Sequence, residues 1–223
     1  MGKKKTAAFF DVDGTLIHGD SQAMEAGFIL KKTKPSLAYW AKILLTLLSV
    51  QLSRMGWISQ IAQNKVYLKT YRGRTRQWLE KNAQDLFRQE IEKKLIPKSM
   101  SLIHKHRQKG DLIVLVSASP RHILIPFEKQ LKPDKLFCTL LEFGQNKKAT
   151  GRVLGKVCAQ EEKRFLVHGF ARKMQIDLEQ SFAYTDHHSD IPFLESVGHP
   201  VAVNPTKSLS AWAKKQGWPQ YRF

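Results

Sequence analysis

Two aspartates stand two positions apart in Asp11-Val12-Asp13-Gly14-Thr15, directly after the apolar run Ala7-Ala8-Phe9-Phe10. Carboxylates this close at the end of a buried strand repel one another, and a divalent cation relieves the repulsion. One carboxylate can attack phosphorus and so split a hydrolysis into two displacements. The other can protonate the leaving oxygen and then activate water. Gly14 permits a tight turn in which neighbouring amides face a phosphate. Taken alone, the pattern also describes an ordinary Asp/Gly turn that closes a strand.

Further polar groups follow other apolar runs. Asp186 and Asp190 flank His187-His188-Ser189 after Phe182-Thr185. Such hard oxygen ligands suit magnesium, which keeps several waters and takes one or two protein carboxylates. Ser117, in Val116-Ser117-Ala118-Ser119-Pro120, can donate a hydroxyl hydrogen bond to a phosphoryl oxygen. Lys163, near the start of the helical stretch before Asp186, can neutralise charge on a transferring group.

Four runs, Ala7-Phe10, Leu112-Val116, Phe182-Thr185 and Val201-Val203, read as buried parallel strands with helical patterns between them. That order predicts an α/β sheet covered on both faces, with the polar clusters meeting beyond the carboxyl ends of the strands. The interval between the first two strands is far longer than one crossover helix needs. Within it Trp40, Ile43, Leu44 and Leu47 follow helical spacing, as Trp78, Leu79 and Leu86 do more loosely, and strand signals are lacking. An inserted helical segment is therefore expected, with the chain re-entering the core near Pro97. Leu136-Phe143 and Ala149-Leu154, either side of Gly144-Gln145-Asn146, predict a short hairpin.

Composition narrows the class further. A hydrophobic fraction of 42% excludes a largely disordered chain, and two cysteines, Cys138 and Cys158, outside any CxxC or Cys/His cluster argue against a disulfide framework or structural zinc. The longest apolar-like stretch, Ile43 to Leu52, is too short to cross a bilayer and reads as a buried or interfacial helix. The lead-in Met1 to Thr6 reads as a basic approach to a strand rather than a secretory leader or a myristoylation site. A formal charge of +18 favours anionic partners.

In order along the chain, Asp11-Val12-Asp13-Gly14-Thr15, Ser117, Lys163 and the pair Asp186/Asp190 resemble the four motifs of the haloacid dehalogenase superfamily, in its IB branch that includes phosphoserine phosphatase. The tail Gly198-His199-Pro200-Val201-Ala202-Val203-Asn204-Pro205 is similar to that branch as well. The resemblance implies a Rossmann-like α/β core formed by residues 1–19 and 97–223, with a C1-type helical cap at 20–96. It implies a Mg²⁺-dependent phosphatase that cleaves a phosphate monoester through a phospho-aspartate on Asp11, with Asp13 as general acid and base. Ser117 and Lys163 would bind the phosphoryl group, with Gly14 and Ala118 beside them. Asp11, Asp13 (through its carbonyl), Asp186 and Asp190 would form the metal site. Dehalogenating members lack a carboxylate at the place of Asp13, so phosphate chemistry is implied. Two positions depart from the family pattern: His187 stands where a glycine or small residue is usual, and no cap arginine aligns with the one that grips the amino-acid carboxylate.

Asp20, Tyr67 and His187 are the expected substrate contacts, whereas His104 and His106 read as surface residues. Between Asp20 and Lys98 lie 15 Lys or Arg against 6 Asp or Glu, together with Trp40, Trp57, Trp78, Tyr39, Tyr67 and Tyr71. Lys31, Lys32 and Lys34 precede the apolar run, and Arg72, Arg74 and Arg76 come later. Cations and aromatics around an apolar helix suit an anionic lipid surface. The expected partner is a small phosphorylated substrate, a lipid phosphate being favoured slightly over phosphoserine, with peripheral contact to anionic membrane and no specific nucleic acid. A cytoplasmic location follows, extending to the inner face of the membrane. The alternatives are a phosphotransferase, and a basic membrane- or nucleic-acid-binding protein on the same scaffold.

Overall fold

The computed structural model describes residues 5–32, 37–54 and 57–223; the expectations for the first residues of the chain and for Lys34 lie outside them. Strand β1 (Ala7–Phe10) is buried at every residue and lies in the middle of the main sheet. Beside it run β2 (Leu112–Pro120) and β6 (Phe182–Thr185), both parallel to it. Beyond β2 lies β3 (Lys135–Thr139); beyond β6 lie β7 (His199–Val203) and β8 (Gln220–Tyr221). The order is β3-β2-β1-β6-β7-β8.

Because side chains alternate along a strand, β1 feeds two cores. Ala8 and Phe10 pack with Ile103 of α5 (Pro97–Lys109) and with Leu124 and Phe127 of α6 (Arg121–Leu131). Ala7 and Phe9 pack with Val167 of α7 (Glu161–Met174), Phe193 of α8 (Ile191–Leu194) and Leu209 of α9 (Lys207–Gln216). Helices thus cover both faces, as the continuous apolar strands predict.

Between β1 and α5 come α1 (Ser21–Lys32), α2 (Leu37–Arg54), α3 (Gln60–Leu68) and α4 (Arg76–Leu86). Thr75 caps α4 by accepting a hydrogen bond from the Trp78 amide, and Ser59 caps α3 in the same way through Ala62. The chain leaves and re-enters the sheet region side by side: Ile17 bridges Leu95 antiparallel, the His18 amide donates to the Lys94 carbonyl at 2.9 Å, and the Ile96 amide to Leu16 at 2.9 Å. A third core cluster joins Tyr67, Leu68, Tyr71 and Leu79 to Leu141 and Ala149.

The last two belong to a hairpin of β4 (Leu141–Phe143) and β5 (Ala149–Val153). Leu136-Phe143 is thus two strands rather than one. Thr139 Oγ1 donates to the Ala118 carbonyl at 2.7 Å and holds β3 to β2; Leu140 is exposed, and pairing begins again at Leu141 with a different partner. The hairpin docks on the helical segment, where the Gly73 amide donates to the Ala149 carbonyl and the Ala149 amide to the Arg74 carbonyl, both at 2.8 Å. His106 corrects another expectation: it is buried, with Nδ1 2.6 Å from Asp111 Oδ2 and Nε2 2.7 Å from the Tyr184 hydroxyl. His104 is exposed.

Candidate active site

The carboxyl ends of β1, β2 and β6 meet at one place. Asp11 leaves β1 with its amide donating to the Tyr184 carbonyl at 2.9 Å, so the sheet fixes its backbone. Lys163, in the first turn of α7, is buried, and its Nζ lies 3.0 Å from Asp11 Oδ1 and 2.6 Å from Asp190 Oδ2. Thr185 Oγ1 donates to Asp190 Oδ2 at 2.8 Å and stands 3.5 Å from Asp11 Oδ2. One Asp11 oxygen is therefore gripped and the other lightly held.

Burial would lower the Lys163 pKa, but Asp11 and Asp190 outweigh it and hold the ammonium charged far above neutrality. Burial raises Asp11 to about 7 against the pull of Lys163, with Asp190 and Asp13 adding to the rise. Burial, then Asp11 and Asp190, push Asp186 to about 8. One ammonium faces three carboxylates, and the excess is negative.

Asp186 lies against Gly14. A Cβ added at Gly14, where φ is +71°, would stand 2.2 Å from Asp186 Oδ2. Only glycine allows that approach. The Asp186 side chain has no hydrogen bond or ion pair among the described residues, whereas its carbonyl accepts from the Thr206 amide at 2.9 Å. Asp13 points elsewhere: Oδ1 accepts from the Ser21 amide at 2.7 Å and Oδ2 from the Ser119 hydroxyl at 2.8 Å. Burial, then the nearby Asp20 charge, raise it to about 6.

Among the described residues, no group of three or more His, Cys, Asp or Glu side chains is arranged to hold a metal ion. Hydrogen bonding explains this, since Asp13 is turned to Ser21 and Ser119 and Asp190 to Lys163 and Thr185. Asp11 and Asp186 remain as side-chain oxygen donors. An unpartnered carboxylate in a buried, net-negative setting fits a hard cation that keeps most of its waters.

Ser117 is fully buried and its hydroxyl accepts from the Ser119 amide at 3.1 Å; Ala118 shares that turn. Asp20 stands just before α1, where its Oδ1 accepts from the Ala23 amide at 2.8 Å. His187 is half-buried, with Nδ1 2.8 Å from the Ser189 hydroxyl and its ring 4.4 Å from that of His188; burial and His188 lower its pKa.

Tyr67 belongs to the core of the helical segment. It is buried, donating from its hydroxyl to the Gln22 carbonyl at 2.7 Å and standing 3.0 Å from Glu25 Oε2. The fully buried Glu25 also accepts from the Tyr71 hydroxyl, and Oε1 lies 3.0 Å from His122 Nε2. Burial and the Glu25 charge hold both tyrosine hydroxyls protonated. This network ties α1 and α3 to α6, so the hydroxyl of Tyr67, an expected substrate contact, is engaged by protein partners.

Sequence reasoning passed over Ser119, Ser21 and Thr185 as partners of the aspartates. Ser119 had a signal, because residues two apart on a strand share a face and Ser117 was already singled out.

A family model described as haloacid dehalogenase-like hydrolase matches residues 8–195. A histidinol-phosphatase of Neisseria meningitidis is 25% identical over 228 residues, covering 98% of this chain and 99% of that protein. A phosphoserine phosphatase of Mycobacterium tuberculosis is 26% identical over 219 residues, covering 95% of this chain and 69% of that one. In fold, a crystal structure of a protein of unknown function from Bordetella pertussis has a TM-score of 0.87 at 24% identity, covering 98% and 99% of the two chains. The chain belongs to the haloacid dehalogenase-like hydrolase family.

Proposed function

We propose that this phosphoric monoester hydrolase works by transient transfer of the phosphoryl group to Asp11. The observation that carries the reading is the Lys163 ammonium between Asp11 and Asp190 at 3.0 and 2.6 Å, beside an Asp186 carboxylate without a hydrogen-bond partner among the described residues. An Asp11 oxygen attacks phosphorus as the bond to the leaving oxygen breaks. Asp13, protonated, gives its proton to that oxygen. Asp13 then takes a proton from water, whose oxygen attacks phosphorus and frees Asp11 and inorganic phosphate. Ser21 and Ser119 hold the Asp13 carboxyl in place for both transfers.

Magnesium would be held by Asp11, the Asp13 carbonyl and Asp186, with Asp190 in support, and when bound would neutralise charge between nucleophile and phosphoryl oxygens. Lys163 supplies a fixed positive charge near the transferring group, and Ser117, Ala118 and Gly14 would bind the phosphoryl oxygens with it.

The substrate we favour is a small phosphate monoester bearing an amino group. The relatives' names support this, and Asp20 offers an exposed carboxylate near Asp13. The lipid phosphate expected from the cap's composition draws no support from those relatives. The side-by-side crossing at Ile17 and Leu95 supports a division into a core of 1–19 and 97–223 and a cap of 20–96, with the β4–β5 hairpin packed on the cap. Free thiols at Cys138 and Cys158 fit a reducing, cytoplasmic setting.

The test is a phosphate-release panel of amino-acid, amino-alcohol, sugar, nucleotide and lipid phosphates, run with Mg²⁺ and with chelator. Release is expected with Mg²⁺ alone and fastest on amino-bearing esters. No release on any class, with Mg²⁺ binding intact, overturns the reading.

A further inference from the structure

Helix α2 wears its apolar side outward. Leu37, Trp40, Leu44, Leu45 and Leu48 repeat at helical spacing, and each is 46% exposed or more. Thr46 and Ser49 stand on the inward face with Ile43. Their hydroxyls are satisfied within the helix, Thr46 donating to the Lys42 carbonyl at 2.9 Å and Ser49 to the Thr46 carbonyl at 2.7 Å. Polar residues can therefore face inward while leucines meet solvent, the reverse of an ordinary surface helix. Trp57, 73% exposed, lies just past the helix end, its amide bonded to the Leu52 carbonyl at 2.9 Å.

Between this helix and the β4–β5 hairpin runs an open cavity of about 1230 Å³, with Leu45, Leu48 and Leu52 on one wall. Lys42, Lys69, Arg72, Lys148 and Arg152 line it, and no carboxylate among the described residues does. Arg152 is paired to Glu142 at 2.8 Å, whereas none of the other four cations has an ion pair among the described residues.

We infer that this face docks the protein on an anionic phospholipid bilayer. A contiguous exposed apolar stripe marks an interaction surface. Leucines with tryptophans at the border and cations beside them match a helix lying in the plane of a membrane interface. Unpaired cations find phosphate headgroups there. A second copy of this chain fits worse, because a two-fold contact would bring the same cations face to face. Docking is independent of the chemistry at Asp11.

The test is co-sedimentation of the full chain with phosphatidylcholine vesicles, with and without a minority of phosphatidylglycerol. The protein should pellet with the anionic vesicles only. Leu44→Ser with Leu48→Ser should weaken binding at least tenfold while leaving hydrolysis of a soluble aryl phosphate unchanged. Replacing Lys69, Arg72 and Lys148 by Gln should weaken it by about fivefold for each cation removed. Asp11→Asn should bind as wild type. Three results overturn the inference: no binding to anionic vesicles, binding indifferent to both sets of changes, or a dimer that the leucine changes dissolve.

Discussion

Lys163 Nζ lies 3.0 Å from Asp11 Oδ1 although 152 positions separate the two residues, and the contact is buried. It ties the first turn of α7 to the end of β1. The same nitrogen holds Asp190, so one ammonium sets the position of two carboxylates that would otherwise repel each other across the site.

Removing that charge should cost both stability and rate. In Lys163→Met, Asp11 and Asp190 lose their buried counter-ion, a loss of roughly 3–5 kcal/mol. Urea unfolding should show it as a lower midpoint. Turnover of an aryl phosphate should fall by about 10²–10³ or more, the usual cost of a lost electrostatic stabiliser. Stability within experimental error of wild type would contradict the geometry.

Asp186 makes stability depend on pH in a stated direction. Its pKa rises from 3.8 to about 8 in the folded, metal-free chain, so the folded state binds more protons than the unfolded between those values. This contribution is fully present below pH about 4 and is lost as pH rises through about 8. Metal-free wild type should therefore lose thermal stability relative to Asp186→Asn across that window. At this chain length each kcal/mol lowers Tm by roughly 2–4 °C. Saturating Mg²⁺ should restore wild type alone. Parallel Tm profiles for the two proteins without metal would refute the assignment.

Gly14→Ala should act on the metal site rather than on the core. A methyl at Gly14 meets Asp186 Oδ2 at 2.2 Å, and the positive φ adds backbone strain of about 1–3 kcal/mol. Calorimetry should find Mg²⁺ binding weakened at least tenfold while the circular dichroism spectrum stays native. Unchanged metal affinity would mean that Asp186 does not need this approach.

Tyr67→Phe separates a structural role from a substrate contact. Removing a hydroxyl bonded to the buried Glu25 carboxylate should cost roughly 1.5–3 kcal/mol. KM for a small phosphate ester should stay within about twofold, because the Tyr67 hydroxyl is already engaged by Gln22 and Glu25. A large rise in KM at unchanged stability would return Tyr67 to the substrate.

Strands that end in acidic turns were legible in the chain. Ala7–Phe10 into Asp11 and Phe182–Thr185 into Asp186 follow from continuous apolar runs cut by hard polar residues. What could not be read was which polar partners tertiary packing supplies. His106 lies in a basic helical stretch, and the Phe182 ring, the Tyr184 hydroxyl and Asp111 make it an interior residue. β8 has no apolar run; it exists because Ala202 and Val203 offer it a free sheet edge. Helical spacing identified α2 but not its orientation, because Leu44, Leu45 and Leu48 meet solvent while Thr46 and Ser49 mark the inward face. Glu25, a carboxylate in a helix of ordinary composition, gave no sign that two tyrosines and a histidine surround it.

The most direct measurement is to mix the protein with substrate and Mg²⁺, quench in acid within a turnover, and locate any covalent phosphoryl group by peptide mass spectrometry. A mass increment of one phosphoryl group on Asp11, absent in Asp11→Asn, is the expected result. A label on another residue, or steady turnover by Asp11→Asn, would contradict the central claim.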